Sequence, residues 1–192
     1  MKKIVITGHA NGIGKALYSA LKHSSDYAVS GYDRAHGKDI EDTTVITEFL
    51  SECGTSDYII LNAYTTSYCQ HMLLDELFNR YKHTNKVCIA VGSLSTDRCI
   101  NEEIALETLG SLEYWYNKKS LNDTVTRINK TNSNFKAVIV KPGWVKTQFS
   151  QHLHNGPWID PAQVADAITH IIELDQIWFI PEIHINTSKT RL

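Results

Sequence analysis

The 192-residue sequence has little cysteine, no block of like charge and no long apolar run, and each shortage excludes a class of protein. Its four cysteines, Cys53, Cys69, Cys88 and Cys99, show no Cys-x-x-Cys spacing, which favours reduced cytosolic thiols over a disulfide framework. Nineteen basic and 21 acidic residues give a net charge of −2 without a basic stripe, so neither nucleic acid nor an anionic membrane is the expected partner. The histidines lack the neighbours of a metal site, and no metal is predicted.

The start of the chain reads as a strand rather than a signal peptide, and no apolar run approaches membrane-spanning length, which favours a cytoplasmic protein. Short apolar runs then alternate with amphipathic segments. Strands are predicted at about 3–7, 27–33, 57–62, 86–92, 136–141 and 177–180, and helices at about 12–23, 42–52, 68–82, 103–131 and 161–174. Continuously apolar strands are typical of a parallel sheet that helices cover on both faces. The sequence therefore predicts one doubly wound, mostly parallel α/β domain of the Rossmann type over residues 1–192.

One connection in this pattern is unusually short. Only five residues separate Asp33, at the end of the second strand, from Asp39, which is too few for a crossover helix. We therefore expect the third strand of the Rossmann pattern to be rudimentary or to lie elsewhere in the sheet.

A glycine-rich turn follows the first strand directly, in the run Thr7-Gly8-His9-Ala10-Asn11-Gly12-Ile13-Gly14. A strand that runs through such a turn into a helix presents free N–H groups and the positive end of the helix dipole, which suits a pyrophosphate. Gly8 allows the tight turn, Gly12 lets a phosphate approach, and Gly14 lets helix and strand pack closely. The alternative is a glycine-rich turn that binds no ligand.

An acidic residue at the end of the second strand favours the dinucleotide. Asp33 lies about 20 residues after the glycines, where a carboxylate accepts hydrogen bonds from the adenosine ribose. It would repel a 2′-phosphate, and Asn11 in the turn supplies no positive charge. Arg34 is able to stack on adenine or to pair with a 2′-phosphate. The prediction is a preference for NAD over NADP.

The segment Tyr114-Trp115-Tyr116-Asn117-Lys118 places a phenol and an ammonium four residues apart, on one face of a predicted helix. A free phenol has a pKa of about 10, and a nearby ammonium favours its ionised form. Lys118 is therefore expected to lower the pKa of Tyr114. The alternative is an amphipathic helix with an ordinary aromatic residue and a solvated lysine. Tyr116 has Ser120, not a lysine, four residues on.

Several motifs occur in one order along nearly the whole chain. They are Thr7-Gly8-xxx-Gly12-Ile13-Gly14, Asp33, Asp39-Ile40, Leu61-Asn62-Ala63, Gly92-Ser93, Tyr114-xxx-Lys118 and Lys141-Pro142-Gly143-Trp144-Val145-Lys146-Thr147. In this order they resemble the short-chain dehydrogenase/reductase family.

The resemblance implies a role for each motif. Tyr114 would be the general acid/base, Lys118 would bind the nicotinamide ribose and lower the tyrosine pKa, and Ser93 would hydrogen-bond the substrate oxygen, with Ser95 as a rival for that role. The implied cofactor-binding residues are Gly8, Asn11, Gly12, Ile13, Gly14, Asp33, Arg34, Asp39, Ile40, Asn62, Ala63, Tyr64, Tyr114, Lys118, Pro142, Gly143, Val145 and Thr147.

The chain also departs from the family pattern. Tyr64 stands where a glycine is common, and the run Tyr68-Cys69-Gln70 stands near the place of an asparagine that family enzymes use in a proton relay. Asn79 lies too far along the helix for that role. Extra residues at roughly 95–110 are able to form a loop over the site. The short segment 33–42 and the run Asn62-Ala63-Tyr64-Thr65 also look like dTDP-4-dehydrorhamnose reductases, which carry an additional C-terminal substrate domain.

The leading hypothesis is an NAD(P)-dependent oxidoreductase acting on a small carbonyl or alcohol. A non-catalytic dinucleotide sensor with the same fold is the alternative. The resemblance further implies a homodimer or homotetramer, and Leu121, Val125 and Ile128 form an apolar stripe that suits a helix interface. The same stripe would equally suit packing on the chain's own sheet.

Overall fold

A computed structural model describes residues 1–65, 69–97, 112–150, 157–174 and 177–187. The strands in these ranges are β1 (Lys2–Thr7), β2 (Tyr27–Tyr32), β3 (Tyr58–Leu61), β4 (Val87–Val91), β5 (Lys136–Pro142) and β6 (Glu182–Ile185). The helices are α1 (Gly12–Lys22), α2 (Thr43–Thr55), α3 (Gln70–Tyr81), α4 (Leu112–Asn129) and α5 (Pro161–Leu174). The strands form one parallel sheet in the order β2-β1-β3-β4-β5-β6.

The sheet has a hydrophobic core on each face, because successive strand residues point to opposite sides. In β3, Ile59 belongs to a core that includes residues of α2, α3 and α4, while Ile60 belongs to a second core with residues of α1 and α5. Both isoleucines are fully buried. The arrangement confirms the predicted doubly wound fold with helices on both faces.

The direction of chain progress reverses between β1 and β3. β1 pairs with β2 on one side and with β3 on the other, so α2 carries the chain back across β1. The fully described segment 33–42 contains a 3-10 turn over Arg34–His36 and neither a crossover helix nor even a rudimentary strand. A ligand crevice is expected where strand order reverses, at the carboxyl ends of β1 and β3.

The last predicted strand was placed wrongly. The apolar run at 177–180 is not a strand, and Ile177 and Trp178 are 70% and 67% exposed. The strand lies instead at Glu182–Ile185 and pairs with β5, Ile139 opposite Glu182. Its burial is only intermediate at alternate positions, as expected for an edge strand, so it lacks the continuous apolar pattern of the inner strands.

The apolar stripe on α4 belongs to the chain's own core. Leu121, Val125 and Ile128 are all buried in the cluster that covers one face of the sheet, so the stripe is not free to form an interface. A homo-oligomer stays a prediction, without this support. The predicted start of that helix at 103, like most of the expected loop at 95–110, lies outside the described residues.

Three of the four cysteines lie in the described part of the chain. Cys53, Cys69 and Cys88 are buried there, and none of the three forms a disulfide. None of the helices in that part combines the length and apolar character that crossing a membrane requires.

Candidate functional site

A cavity of about 820 Å³ opens at the carboxyl ends of the central strands. Every site residue that the sequence predicted lines this cavity, with the exception of Gly14. Residues separated by more than 130 positions, such as Gly8 and Thr147, thus meet at one crevice. The sequence missed several other lining residues, among them Lys38 and Phe149.

The glycine-rich turn forms one end of the cavity. Gly8 and Gly12 have φ values of +71° and +53°, the left-handed region that glycine adopts without strain. A Cβ on Gly12 would lie 3.0 Å from Cγ2 of Thr147, and a Cβ on Gly14 would lie 2.0 Å from the carbonyl oxygen of Gly8. Gly14 therefore holds α1 against the turn, which is the packing role predicted for it, rather than facing the cavity.

The turn is also held from the neighbouring strand. Nδ2 of Asn62 donates to the carbonyl oxygen of Gly8 at 3.0 Å, and Oγ1 of Thr7 accepts from the backbone N–H groups of Asn62 and Ala63 at 3.1 Å each. The side chain of Asn11 makes no capping hydrogen bond to α1. At this end of the cavity, the side chain of Asn11 therefore leaves the N–H groups at the start of α1 without a side-chain cap. Beside them lies a turn with no room for additional Cβ atoms. Both features fit the pyrophosphate of a dinucleotide.

The carboxylate of Asp33 lies beside the turn. Its Oδ1 accepts from the N–H of Ala35 at 2.8 Å and its Oδ2 from the N–H of Ala10 at 3.3 Å, so it fixes the turn against the end of β2. Each oxygen retains acceptor capacity for a ribose hydroxyl. Arg34 is largely exposed, with its Nε 3.9 Å from Oδ2 of Asp39.

A second cation, Lys38, lies on the same side of the cavity. The amino group donates to Oε1 of Glu48 at 2.8 Å and lies 4.6 Å from the ring centroid of Tyr32. Gly37, with a φ of +70°, turns the chain at this point. Lys38 belongs to none of the motifs in the sequence, so its place at the cavity was not predicted.

Tyr114 and Ser93 meet in the middle of the cavity. The Tyr114 hydroxyl is hydrogen-bonded with Ser93, whose Oγ lies 2.8 Å from Oγ of Ser95. Burial raises the pKa of Tyr114 to about 12, although the Ser93 hydrogen bond opposes that shift. The expected lowering of the pKa was wrong for this structure, because burial outweighs the stabilisation of the phenolate.

Lys118 is buried, with its amino group 5.6 Å from the ring centroid of Tyr114. Nζ donates to Oε1 of Gln70 at 2.6 Å and to the carbonyl oxygen of Val91 at 2.7 Å. Burial lowers the pKa of Lys118 to about 7. The alternative of a solvated lysine is excluded, and Tyr116, 52% exposed, is not among the residues that line the cavity.

Three aromatic rings pack together beside the Tyr114 hydroxyl. The ring centroids of Tyr64 and Phe149 lie 5.2 and 5.7 Å from that of Tyr114 and 6.0 Å from each other. Phe149 lies two residues after the Pro142–Thr147 motif, but a single aromatic residue in a loop carries no periodic signal. The rings give this part of the cavity an apolar wall.

Comparisons with known proteins rest on structure alone. No protein-family model matches the chain. No curated protein matches it either.

Solved structures do match. The 3-alpha-hydroxysteroid dehydrogenase from Pseudomonas sp. B-0831, complexed with NADH, is 18% identical with a TM-score of 0.71, over 99% of this chain and 100% of that one. The alcohol dehydrogenase from the archaeon Thermococcus sibiricus, complexed with 5-hydroxy-NADP, is 16% identical with a TM-score of 0.73, over 100% and 99%. A short chain dehydrogenase from Burkholderia cenocepacia J2315, in complex with NADP, is 13% identical with a TM-score of 0.72, over 97% and 90%. The chain has the fold of the short-chain dehydrogenases.

Proposed function

We propose that the chain is a short-chain dehydrogenase/reductase, an NAD(P)-dependent oxidoreductase that interconverts a carbonyl and an alcohol on a small molecule. One observation carries the proposal. A single cavity is lined both by the glycine-rich turn and by the hydrogen-bonded pair Ser93 and Tyr114, with Lys118 beside that pair. A dinucleotide site and a proton donor thus share one crevice at the strand ends.

The residues at the turn fit a nicotinamide dinucleotide. The uncapped N-terminus of α1 and the crowded glycines would hold the pyrophosphate, and Asp33 would accept from the adenosine ribose. Pro142, Gly143, Val145 and Thr147, which line the same cavity, would hold the nicotinamide end. When bound, the cofactor supplies or accepts the hydride.

We propose NAD as the preferred cofactor. Asp33 lines the cavity together with two cationic residues, Arg34 and Lys38. The negative charge of Asp33 would repel a 2′-phosphate. Lys38 is paired with Glu48, and Arg34 lies near Asp39. The cations near Asp33 therefore have carboxylate neighbours of their own.

The proton chemistry would belong to Tyr114. With a pKa raised to about 12, its hydroxyl is protonated at neutral pH and is able to donate to a carbonyl oxygen. Ser93, hydrogen-bonded with that hydroxyl, would orient the same oxygen. The apolar wall of Tyr64 and Phe149 would limit water beside the transferred proton.

The test is to titrate the purified protein with NADH and then to add a panel of aliphatic and aromatic aldehydes and ketones. We expect a change of NADH fluorescence on binding and oxidation of NADH by at least one carbonyl. Lack of NADH and NADPH binding would contradict both the dinucleotide site and the proposed reaction.

A second candidate, a non-catalytic dinucleotide-binding sensor, is favoured by two observations. The amino group of Lys118 is bonded to Gln70 and Val91, and burial gives Tyr114 a pKa far from neutrality. Binding of NADH without turnover across the whole panel would support the sensor and contradict the reductase.

A further inference from the structure

A buried glutamine, Gln70, connects Lys118 to the central strands. It is the first residue of α3, and its Nε2 donates to the carbonyl oxygen of Leu61 at 2.6 Å, with that of Val91 3.5 Å away. Its Oε1 accepts from Nζ of Lys118 at 2.6 Å. One side-chain amide thus joins the carboxyl ends of β3 and β4 to the lysine on α4.

The orientation of this amide is fixed by its partners. An ammonium group only donates hydrogen bonds, and the carbonyls of Leu61 and Val91 only accept them. Exchanging the nitrogen and oxygen of the amide would set donor against donor and acceptor against acceptor. Gln70 therefore always presents its oxygen to Lys118.

The same contact limits what Lys118 presents to the cavity. Gln70 and Val91 take two of its hydrogen-bond donors, which leaves one N–H of the ammonium, or the lone pair of the neutral amine, for the cavity that Lys118 lines. Without Gln70, the flexible four-carbon side chain would be held at its end by a single carbonyl. Because the lysine side chain is flexible, the position of its amino group depends on these two hydrogen-bond acceptors.

We propose that Gln70 is the positioning residue of this site: its amide oxygen fixes the amino group of Lys118 beside Tyr114 and favours the charged form of that group. The effect on turnover rests on the proposed function, whereas the effect on Lys118 does not. Gln70 acts through Lys118 and is not itself a catalytic residue.

Two substitutions of similar size separate this role from simple packing. Gln70→Met removes the acceptor, which disfavours the charged amine, so the pKa of Lys118 should fall by about one unit. Gln70→Glu places a carboxylate against the amine, so that pKa should rise by about one unit or more. A packing role alone would change the stability of both variants, but it would not shift the pKa of Lys118 in opposite directions in the two.

The phenols that face Lys118 do not confuse this measurement. The rings of Tyr64 and Tyr114 lie 5.9 and 5.6 Å from Nζ, and burial raises the pKa of both hydroxyls. Both stay neutral through neutral pH, as does the thiol of Cys69, next to Gln70, whose pKa burial also raises. A shifted titration of Lys118 thus reports on residue 70.

The experiment is trace labelling of lysines with acetic anhydride across neutral pH, read by mass spectrometry on the cofactor-free protein. Lys86 is the internal reference, since it is also buried and donates to two carbonyls, those of Gly54 and Ser56 at 2.9 and 2.7 Å, far from residue 70 in sequence. We expect the Lys118 midpoint to fall in Gln70→Met and to rise in Gln70→Glu. Because the wild-type pKa is about 7, a fall of about one unit should make labelling about 2-fold faster at pH 7 and about 10-fold faster well below the midpoint. Lys86 should not change.

An unchanged Lys118 midpoint in Gln70→Met, or a shift of the same sign in both variants, would overturn the proposal. If Gln70→Glu fails to fold, Gln70→Asn replaces it. That variant keeps the amide but is one methylene shorter, so its Lys118 midpoint should fall as in Gln70→Met, and an unchanged midpoint would again overturn the proposal.

A kinetic arm tests the consequence for the reaction. In Gln70→Met the kcat for carbonyl reduction should fall by roughly 10-fold, its pH profile should follow the Lys118 midpoint, and the KM for the carbonyl should stay unchanged. Gln163→Met on the exposed start of α5 is the matched control. If the wild type turns over no carbonyl, the proposed function fails while the labelling still decides the role of Gln70. A kcat profile unmoved while the labelling midpoint shifts would overturn the link from Gln70 to the reaction.

Discussion

The substitution Tyr114→Phe removes a single oxygen from the middle of the cavity and leaves the ring in place. The ring contacts with Tyr64 and Phe149, at 5.2 and 5.7 Å between centroids, depend on the aromatic face and persist in phenylalanine. The hydroxyl contributes one hydrogen bond, with Ser93, whose net value is about 1 kcal/mol. We therefore expect a folded protein with nearly wild-type affinity for NADH.

The reaction should respond far more strongly than the fold. The Tyr114 hydroxyl is the proposed proton donor, and losing such a donor costs on the order of 10²-fold in rate or more, which corresponds to roughly 2.7 kcal/mol in the barrier. Ser93 would remain as a hydrogen-bond donor to the substrate oxygen, so residual activity is expected. The contrast between about 1 kcal/mol in stability and this loss in rate is the signature of a group that acts in the transition state.

The assay is single-turnover oxidation of NADH with a carbonyl that the wild type reduces, measured beside urea unfolding and NADH titration. Tyr116→Phe is the matched control, since Tyr116 lies on the same helix, is half exposed and loses the same atom. If Tyr116→Phe abolished hydride transfer while Tyr114→Phe left it intact, the assignment of the active helix face would be wrong. Equal rates in both variants and the wild type would refute proton donation by Tyr114.

Three further predictions concern the cofactor, the turn and pH. Asp33→Asn removes the charge but keeps a hydrogen-bond acceptor, so the ratio of NADPH to NADH affinity should rise by about 10-fold. Fluorescence titration with both cofactors at one ionic strength measures this ratio, and an unchanged ratio would argue against Asp33 as the residue that selects the cofactor. Gly14→Ala places a methyl group 2.0 Å from the carbonyl oxygen of Gly8 and should abolish NADH binding. Gly37→Ala is the control: it adds the same methyl group at a φ of +70° in open space, so it should lower the free energy of unfolding by only about 1–2 kcal/mol and leave NADH binding intact. Burial lowers the pKa of Lys118 from 10.5 to about 7, so between those values the unfolded chain binds a proton that the folded chain lacks, and this group makes stability rise with pH. Urea unfolding of the wild type at rising pH should therefore show a steeper increase than that of Lys118→Met, and identical slopes would show that the folded pKa is not lowered.

The inner strands and the glycine-rich turn were predictable because their causes are local. Four consecutive apolar residues such as Tyr58–Leu61 survive only where both faces of a strand are covered, so the pattern itself indicates a buried parallel strand. Gly8 needs its positive φ whatever lies beyond the turn. The edge strand Glu182–Ile185 escaped prediction for the opposite reason, since an edge strand is only half covered and its residues need not be apolar.

The sequence by itself therefore determined the doubly wound fold, the absence of a crossover helix directly after Asp33 and, Gly14 excepted, the predicted residues that line the cavity at the strand ends. The tertiary structure alone decided how the groups at that site are held. Gln70 bonds to Lys118 across 48 positions of sequence, and Phe149 packs on Tyr114 from a loop without periodicity. It also decided the direction of the Tyr114 pKa, because spacing along a helix shows which charges are near but not how much water the fold removes. Desolvation depends on atoms from every surrounding element, so it exists only once the chain has folded.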